Sequence, residues 1–307
     1  MRPLTDQHPD AQSWAMLALL AAIWGGSFFF VGIAVKELPA LLIVFARVLM
    51  AALLLLPIHL YFLGKLPTDR KTWVACLGMS VMNNVLPFTL IAWGQHHVAS
   101  GLASVINATT PMFAVLFLAL TGMEKTIPRK ILALVIGFVG VIVLQGAKFD
   151  DIGGQGQGIL AITLASAFYG VSVVWSKQRL SGIPPMTAAT CQLLGSTFIM
   201  AILVICFSEP SLYLAISKPT AAALVTLAAL STSFAYLIFF RIIKRAGPTF
   251  VSLVTMLVPV TAIALGYLFL GESLSANEIT GALIIGLALL IIDGRVLQFF
   301  SRQAQAN

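Results

Sequence analysis

Charge is what this sequence has least of. Asp, Glu, Lys and Arg make up 9% of its 307 residues, where a soluble globular domain carries about 25%. So few charges cannot clothe an ordinary water-facing surface. Acids are the scarcer sign, 11 against 18 Lys and Arg, and none falls in the middle of an apolar run. The sequence therefore offers no carboxylate for a proton relay inside a membrane, which needs an ionisable group at depth. Cysteine is limited to Cys76, Cys191 and Cys206. An odd number, all within apolar runs, indicates neither a disulfide framework nor a CxxC metal site. HExxH, GxSxG, the P-loop and a GxGxxG followed by an acid are missing, and the Ser and Thr residues of the apolar runs have no base beside them. An integral-membrane enzyme is disfavoured on that ground, and neither metal nor cofactor is expected. The opening "MRPLTDQHPDAQ" lacks the basic start of a secretory signal, so the first apolar run is expected to be a retained anchor.

What is present is mostly apolar: 59% of residues are hydrophobic and the mean hydropathy is +0.99. Crossing a hydrocarbon layer of roughly 30 Å takes about 20 apolar residues in a helix, and in lipid the backbone must satisfy its own hydrogen bonds. On that ruler the chain is expected to be all-α and integral to a membrane, with ten spans. They are predicted at Ser13 to Val35, Ala40 to Leu63, Trp73 to Gly94, Ser100 to Gly122, Arg129 to Gln145, Gln157 to Leu180, Pro185 to Phe207, Lys218 to Lys244, Pro248 to Leu270 and Ala276 to Asp293. With spans so placed, fourteen of the 18 Lys and Arg fall on one side, Lys36, Lys148 and Lys218 on the other, and Arg47 inside a span. The positive-inside rule then puts both termini in the cytoplasm. The net charge of +7 is spread over short turns, which suits anionic lipid headgroups and not nucleic acid.

The two halves of the chain are related. A shift of 148 residues lays Pro111 on Pro259, Glu124 on Glu272, Asn83 and Asn84 on Ser231 and Thr232, and Phe88 on Tyr236. A shift of 145 pairs Trp24 with Tyr169, Gly25 with Gly170 and Arg47 with Gln192. A unit of five spans is odd, so the second copy re-enters the membrane from the opposite side: residues 13–146 and 157–294 are expected to be inverted repeats, joined by an outer linker at 147–156. Inverted repeats suit alternating access, with a site near the midplane where they meet.

The stretches "AAIWGGSFFFVGIAVKELPALLIVFARVLMAALLL", "TPMFAVLFLALTGMEK" and "VPVTAIALGYLFLGESLSANEITGALIIGLALLIIDG" resemble the EamA-type family of the drug/metabolite transporter superfamily. The likeness rests on Trp24 and Gly25, Arg47, Pro111 and Pro259, and the Gly271–Glu272 pair; the first half departs from it with Met123 ahead of Glu124. Overall likeness is to bacterial amino-acid exporters, those for aromatic amino acids included. The resemblance implies export across the inner membrane; the lack of charge at depth apart from Arg47 points to small neutral or zwitterionic metabolites, and two inverted halves can complete a pathway in one chain, so a monomer is expected, with the bilayer and the solute as partners. The rival reading is a proton-coupled efflux carrier of another substrate class.

Polar groups at depth mark where a solute could lie, because they are costly unless they face a cavity or a partner. Asn83 and Asn84 in the third span and Ser231, Thr232 and Tyr236 in the eighth stand at matching depth. Asn107 and Thr255 precede the mid-span prolines, whose missing N–H frees a carbonyl for a ligand ammonium or a neighbouring hydroxyl. Trp24, Phe28, Tyr169 and Trp175 complete the candidate lining, able to meet an apolar group or a cation. Arg47, Pro111, Glu124, Pro259 and Glu272 are expected to be structural or gating residues. Glu272 is read as an interfacial turn residue that accepts hydrogen bonds from the next helix start, with Ser275 as that helix's cap. His59, near an inner span end, is read as solvated.

Overall fold

The structure, a computed structural model, describes residues 10–124, 127–145 and 154–293. The opening segment, residues 147–153 of the expected linker, and Lys125, Lys148, Arg295 and Arg302 lie outside the described residues.

Among the described residues the chain forms ten helical rods. They are α1 (Ala11–Ala34), α2 (Ala40–Leu63), α3 (Arg70–Gly94), α4 (Ser100–Leu120), α5 (Pro128–Gln145), α6 (Gln155–Arg179), α7 (Pro185–Phe207), α8 (Lys218–Ala246), α9 (Val254–Leu270) and α10 (Ala276–Asp293). Seven of them are long and apolar enough to cross a membrane, and two more, Val254–Leu270 and Ala276–Ile292, are shorter apolar helices. Short polar side chains start α1, α3 and α8 by taking up N–H groups that have no partner in the first turn. Asp10 accepts from Ser13 N at 3.0 Å, Asp69 from Thr72 N at 2.8 Å and Ser217 from Thr220 N at 3.3 Å. The Asp69 cap is why α3 begins at Arg70 and not at Trp73 as predicted.

Two predicted spans are interrupted. A turn at Ala108–Thr109 divides α4 just ahead of Pro111, and the start of the ninth span is a separate single turn, Pro248–Val251, before α9. Proline cannot donate to the carbonyl four residues back, so Pro111 leaves Asn107 O free; Thr110 Oγ1 takes it at 2.8 Å. The freed carbonyl thus goes to a hydroxyl of the same helix.

Lipid tails are as apolar as leucine, so burial alone does not drive helices together inside a bilayer; close backbone approach and interhelical hydrogen bonds do. The pairing of the rods shows where that happens. α1 packs on α9 and α8, α6 packs on α4 and α3, α2 packs on α7, and α5 packs on α10. Exchanging each rod for the one five places away leaves this set of pairs unchanged. Glycine sets the distance at matching points. A Cβ on Gly25 would stand 2.7 Å from Val258 O and from Thr261 Cβ on α9, and one on Gly170 would stand 2.7 Å from the Phe113 carbonyl carbon and Cβ on α4. Phe113 and Thr261 are themselves 148 residues apart, so each half receives the other at the same place.

Two apolar cores result. One gathers α1, α4, α6 and α9 around Leu17, Leu20, Ile106, Met112 and Ile162; the other gathers α2, α3, α7 and α8 around Leu42, Ile43, Leu55 and Leu193. Tyr169 packs against both. Large apolar side chains such as Phe62, Phe207 and Leu283 are exposed, a surface suited to lipid tails.

Candidate functional site

The site begins with two irregular turns. Residues Ser80–Val85 of α3 and Ala229–Phe234 of α8 are π-helical, and these are the segments that carry the polar pairs seen in the sequence. A π turn loosens the backbone ladder and leaves carbonyls to be satisfied by other groups. In α8 the hydroxyls do so: Thr232 Oγ1 donates to Leu227 O and Ser233 Oγ to Ala228 O, each at 3.1 Å. Ser233 also reaches Ala51 O of α2 at 3.2 Å, and Ser231 Oγ reaches Ile23 O of α1 at 3.0 Å. In α3 Ser80 Oγ donates to Cys76 O at 3.0 Å and to Gln192 O of α7 at 2.8 Å.

Between these turns stands Arg47. Its Nε donates to Thr232 Oγ1 at 3.0 Å and its guanidinium lies 3.7 Å from the centre of the Phe88 ring. The phenols of Tyr169 and Tyr236 lie within electrostatic reach of that charge, and Gln192 stands beside Tyr236. Nearby, Trp24 of α1 meets Phe239 of α8 with ring centres 5.6 Å apart, and Asn83 accepts from Ser172 Oγ of α6 at 3.2 Å. Arg47, its repeat mate Gln192, and the mates Phe88 and Tyr236 thus fall in one central cluster drawn from α2, α3, α6, α7 and α8. Trp24, Asn83, Tyr169 and Tyr236 are all half-buried. Among the described residues no carboxylate pairs with Arg47.

Other candidates are placed elsewhere. Asn84 has no exposed surface; its Nδ2 donates to Ser196 Oγ and its Oδ1 accepts from Gln192 Nε2, both at 2.9 Å. Its polarity is spent tying α3 to α7, which corrects its reading as a lining residue. Phe28 is 5% exposed and belongs to the core, so it lines nothing in this conformation. Ser231 is likewise enclosed, its hydroxyl spent on α1. Trp175 sits one turn from the end of α6 with Nε1 bonded to Ala75 O at 2.9 Å. It borders a cleft of about 730 Å³ lined by Arg70, Lys71 and Arg179, away from the centre. Asn107 is half-buried with Oδ1 unpartnered, and Thr255 Oγ1 is turned back to Ser252 O at 2.8 Å. His59, read as solvated, is 1% exposed with both ring nitrogens unpartnered.

The two glutamates end their helices differently. Glu272 accepts from Ser100 N at 2.9 Å, Ser100 Oγ at 2.7 Å and Gly101 N at 3.2 Å. It caps the start of α4, in the other half of the chain, and not the next helix as expected. A carboxylate at that position also meets the positive end of the helix dipole. Ser275 and Glu278 start α10 by themselves: Ser275 N donates to Glu278 Oε2 at 2.7 Å and Glu278 N to Ser275 Oγ at 3.4 Å, a reciprocal capping box. Glu124 pairs with Lys130. The glycine absent directly before Glu124 lies one residue earlier: Gly122 has φ +69° and Gly271 φ +68°. α9 finishes in a π segment, Gly266–Leu270, which takes up one residue that α4 leaves to its closing turn.

The sequence profile of the EamA-like transporter family matches twice, over residues 12–145 and 156–293. The chain belongs to that family. It is 25% identical over 290 residues to YvbV of Bacillus subtilis, described as an uncharacterized transporter, with 94% of this chain and 93% of that one covered. It is 26% identical over 283 residues to YedA of Escherichia coli, described as an uncharacterized inner membrane transporter, covering 90% and 89%. Protein PecM of Dickeya dadantii is 24% identical over 292 residues, covering 93% of each. One solved crystal structure superposes with a TM-score of 0.64 at 16% identity, covering 92% of this chain and 96% of that one, a likeness of fold.

Among the residues that sequence reasoning did not single out are Ser80 and Ser196, which complete the α3–α7 network, and Phe239. Both serines lie in long apolar runs like many others, and nothing in local pattern separates them. Phe88 and Gln192 were signalled only as repeat mates of Tyr236 and Arg47.

Proposed function

We propose that the protein is an inner-membrane carrier that moves small neutral or zwitterionic metabolites, amino acids foremost and aromatic ones among them, outward by alternating access. Its ten rods are taken as two inverted five-helix repeats, residues 13–146 and 157–294, with both termini cytoplasmic. The observation that carries this reading is the exchange of packing between halves: Gly25 seats α1 on α9, Gly170 seats α6 on α4, and the aromatic and polar cluster around Arg47 lies where the halves meet. Two equivalent contacts between halves give two arrangements of similar energy, which is what alternating access requires. The double match to the family and the one-sided distribution of Lys and Arg support the inversion.

Trp24, Asn83, Tyr169 and Tyr236 are the residues proposed to border the solute; Thr232 is enclosed behind them, its hydroxyl engaged by Arg47 and Leu227 O. Rings of this kind suit an apolar side chain, and their hydroxyl and amide groups suit its polar end. The working unit is taken as a single chain: Gly140 and Gly281 are occupied where α5 meets α10 and Gly137 meets Met112 of α4 and Ala288 of α10, while Gly286 has nothing within 4 Å.

The test is uptake of radiolabelled amino acids by liposomes containing the purified protein, with and without an imposed pH gradient. Flux driven by the solute gradient alone is the expected result. Absence of flux for every amino acid would remove the substrate class, and flux that requires the proton gradient would favour the proton-coupled reading.

A further inference from the structure

An arginine inside a membrane bundle is costly unless a partner takes its charge. Arg47 has no carboxylate partner among the described residues. One of its five N–H groups is accounted for, by Thr232 Oγ1 at 3.0 Å, and one face of its guanidinium is covered by Phe88 at 3.7 Å. No acceptor among the described residues meets its two Nη groups, yet neither is enclosed. They therefore retain accessible surface deep within the molecule. Nε and the ring hold the guanidinium in place while the outer fork stays free. A free fork matches the two oxygens of a carboxylate, which it can bind through parallel hydrogen bonds.

We propose that Arg47 is the anchor for the carboxylate of the transported solute, so that the site selects small molecules with one carboxylate next to an apolar, preferably aromatic, body. This deepens the transport reading and rests on it for the word transported; binding itself is separable. The pairing neutralises the guanidinium only while solute is bound. Thr232 and Phe88 act as positioning residues that hold the plane of the fork. Tyr169 and Tyr236, on α6 and α8, would then flank the rest of the molecule.

The experiment is calorimetric titration of the purified protein in lipid nanodiscs with three probes: L-phenylalanine, 3-phenylpropionate and phenethylamine. The first two carry a carboxylate and the third only an ammonium. The first two are expected to bind, with phenethylamine at least about tenfold weaker, the scale of a lost charge-assisted pair. Arg47→Gln should weaken both carboxylates about tenfold or more and leave phenethylamine unchanged. Arg47→Lys keeps the charge but not the fork; it should fold even if the glutamine variant does not, and should bind the carboxylates more weakly than the native protein. Equal binding of all three probes by the native protein, no binding of either carboxylate, or carboxylate binding that Arg47→Lys leaves intact would overturn the proposal. Carboxylate binding that depends on Arg47 without flux in liposomes would count against the transport reading and leave the anchor standing.

Discussion

Replacing Gly25 by alanine tests the close approach on which the exchanged packing depends. The added methyl would lie 2.7 Å from Val258 O, 2.7 Å from Thr261 Cβ and 3.1 Å from Ala262 N. Ordinary carbon contacts are about 3.5–4.0 Å. Two of the three obstructing atoms are backbone, so α1 must move away from α9. Forcing a methyl into a packed interior costs about 1–3 kcal/mol. Alanine in a helix interior recovers about 1 kcal/mol relative to glycine, so the net expectation is a loss of up to about 2 kcal/mol. The internal control is the next residue. A methyl on Gly26 meets nothing nearer than 3.6 Å, and one on Gly286 meets nothing within 4 Å. Gly26→Ala and Gly286→Ala should therefore be neutral or stabilising by up to about 1 kcal/mol. The assay is reversible unfolding in detergent, followed by far-UV circular dichroism. Gly170→Ala, which meets Phe113 at 2.7 Å, should behave like Gly25→Ala. If Gly25→Ala and Gly26→Ala change stability equally, or if Gly170→Ala is stabilising, the two halves do not depend on this contact and the reasoning fails.

Three further outcomes are expected. Asn84→Ala strands Gln192 Nε2 and should cost about 1–3 kcal/mol in the same unfolding assay, whereas Asn83→Ala, a half-buried neighbour, should cost less; a reversed order would return Asn84 to the lining. Glu272→Gln removes a charge from the α4 start, where dipole and hydrogen bonds together are worth about 1–2 kcal/mol, so amide exchange at residues 100–104 should quicken while that at α10 does not. Glu37 accepts from Ser217 N at 2.8 Å and Ser217 Oγ at 2.6 Å, which holds its carboxyl below the usual range. Its folded pKa is thus below the unfolded value of about 4.3, and its contribution is complete above that value and fades as pH falls through the folded pKa. Glu37→Gln should make acid unfolding less steep there; superimposable acid curves would show that the bond adds nothing.

The helices were legible because each is a local matter. An apolar run of about 20 residues must satisfy its own backbone in lipid, and polar or proline punctuation sets its ends, so predicted spans such as Ala40 to Leu63 and Pro185 to Phe207 agree with α2 and α7. The repeat was legible as matched letters, Gly25 with Gly170 and Pro111 with Pro259. The turn at Ala108–Thr109 was not placed by sequence, because Pro111 indicates that the ladder breaks but not which neighbouring hydroxyl will take the freed carbonyl. Nor were the π segments, since a π turn is stabilised by what stands opposite it, here Ala51 and Gln192.

By itself the sequence determined that this protein is a bundle of apolar helices in two related halves, and that polarity gathers at one depth. Only the tertiary structure decided how that polarity is spent. Asn83 and Asn84 are adjacent in the chain, yet successive helical residues point in different directions, so one faces α6 and the other is consumed by α7. Glu272 reads as a local turn residue but caps a helix 172 residues away. Arg47 reads as a charge that needs a partner, and only the packed helices show that the protein supplies a hydroxyl and an aromatic face while leaving the fork free. The physical reason is range: solvent and backbone act on neighbouring residues, whereas partners across a bundle are fixed by the shapes of helices far apart in sequence.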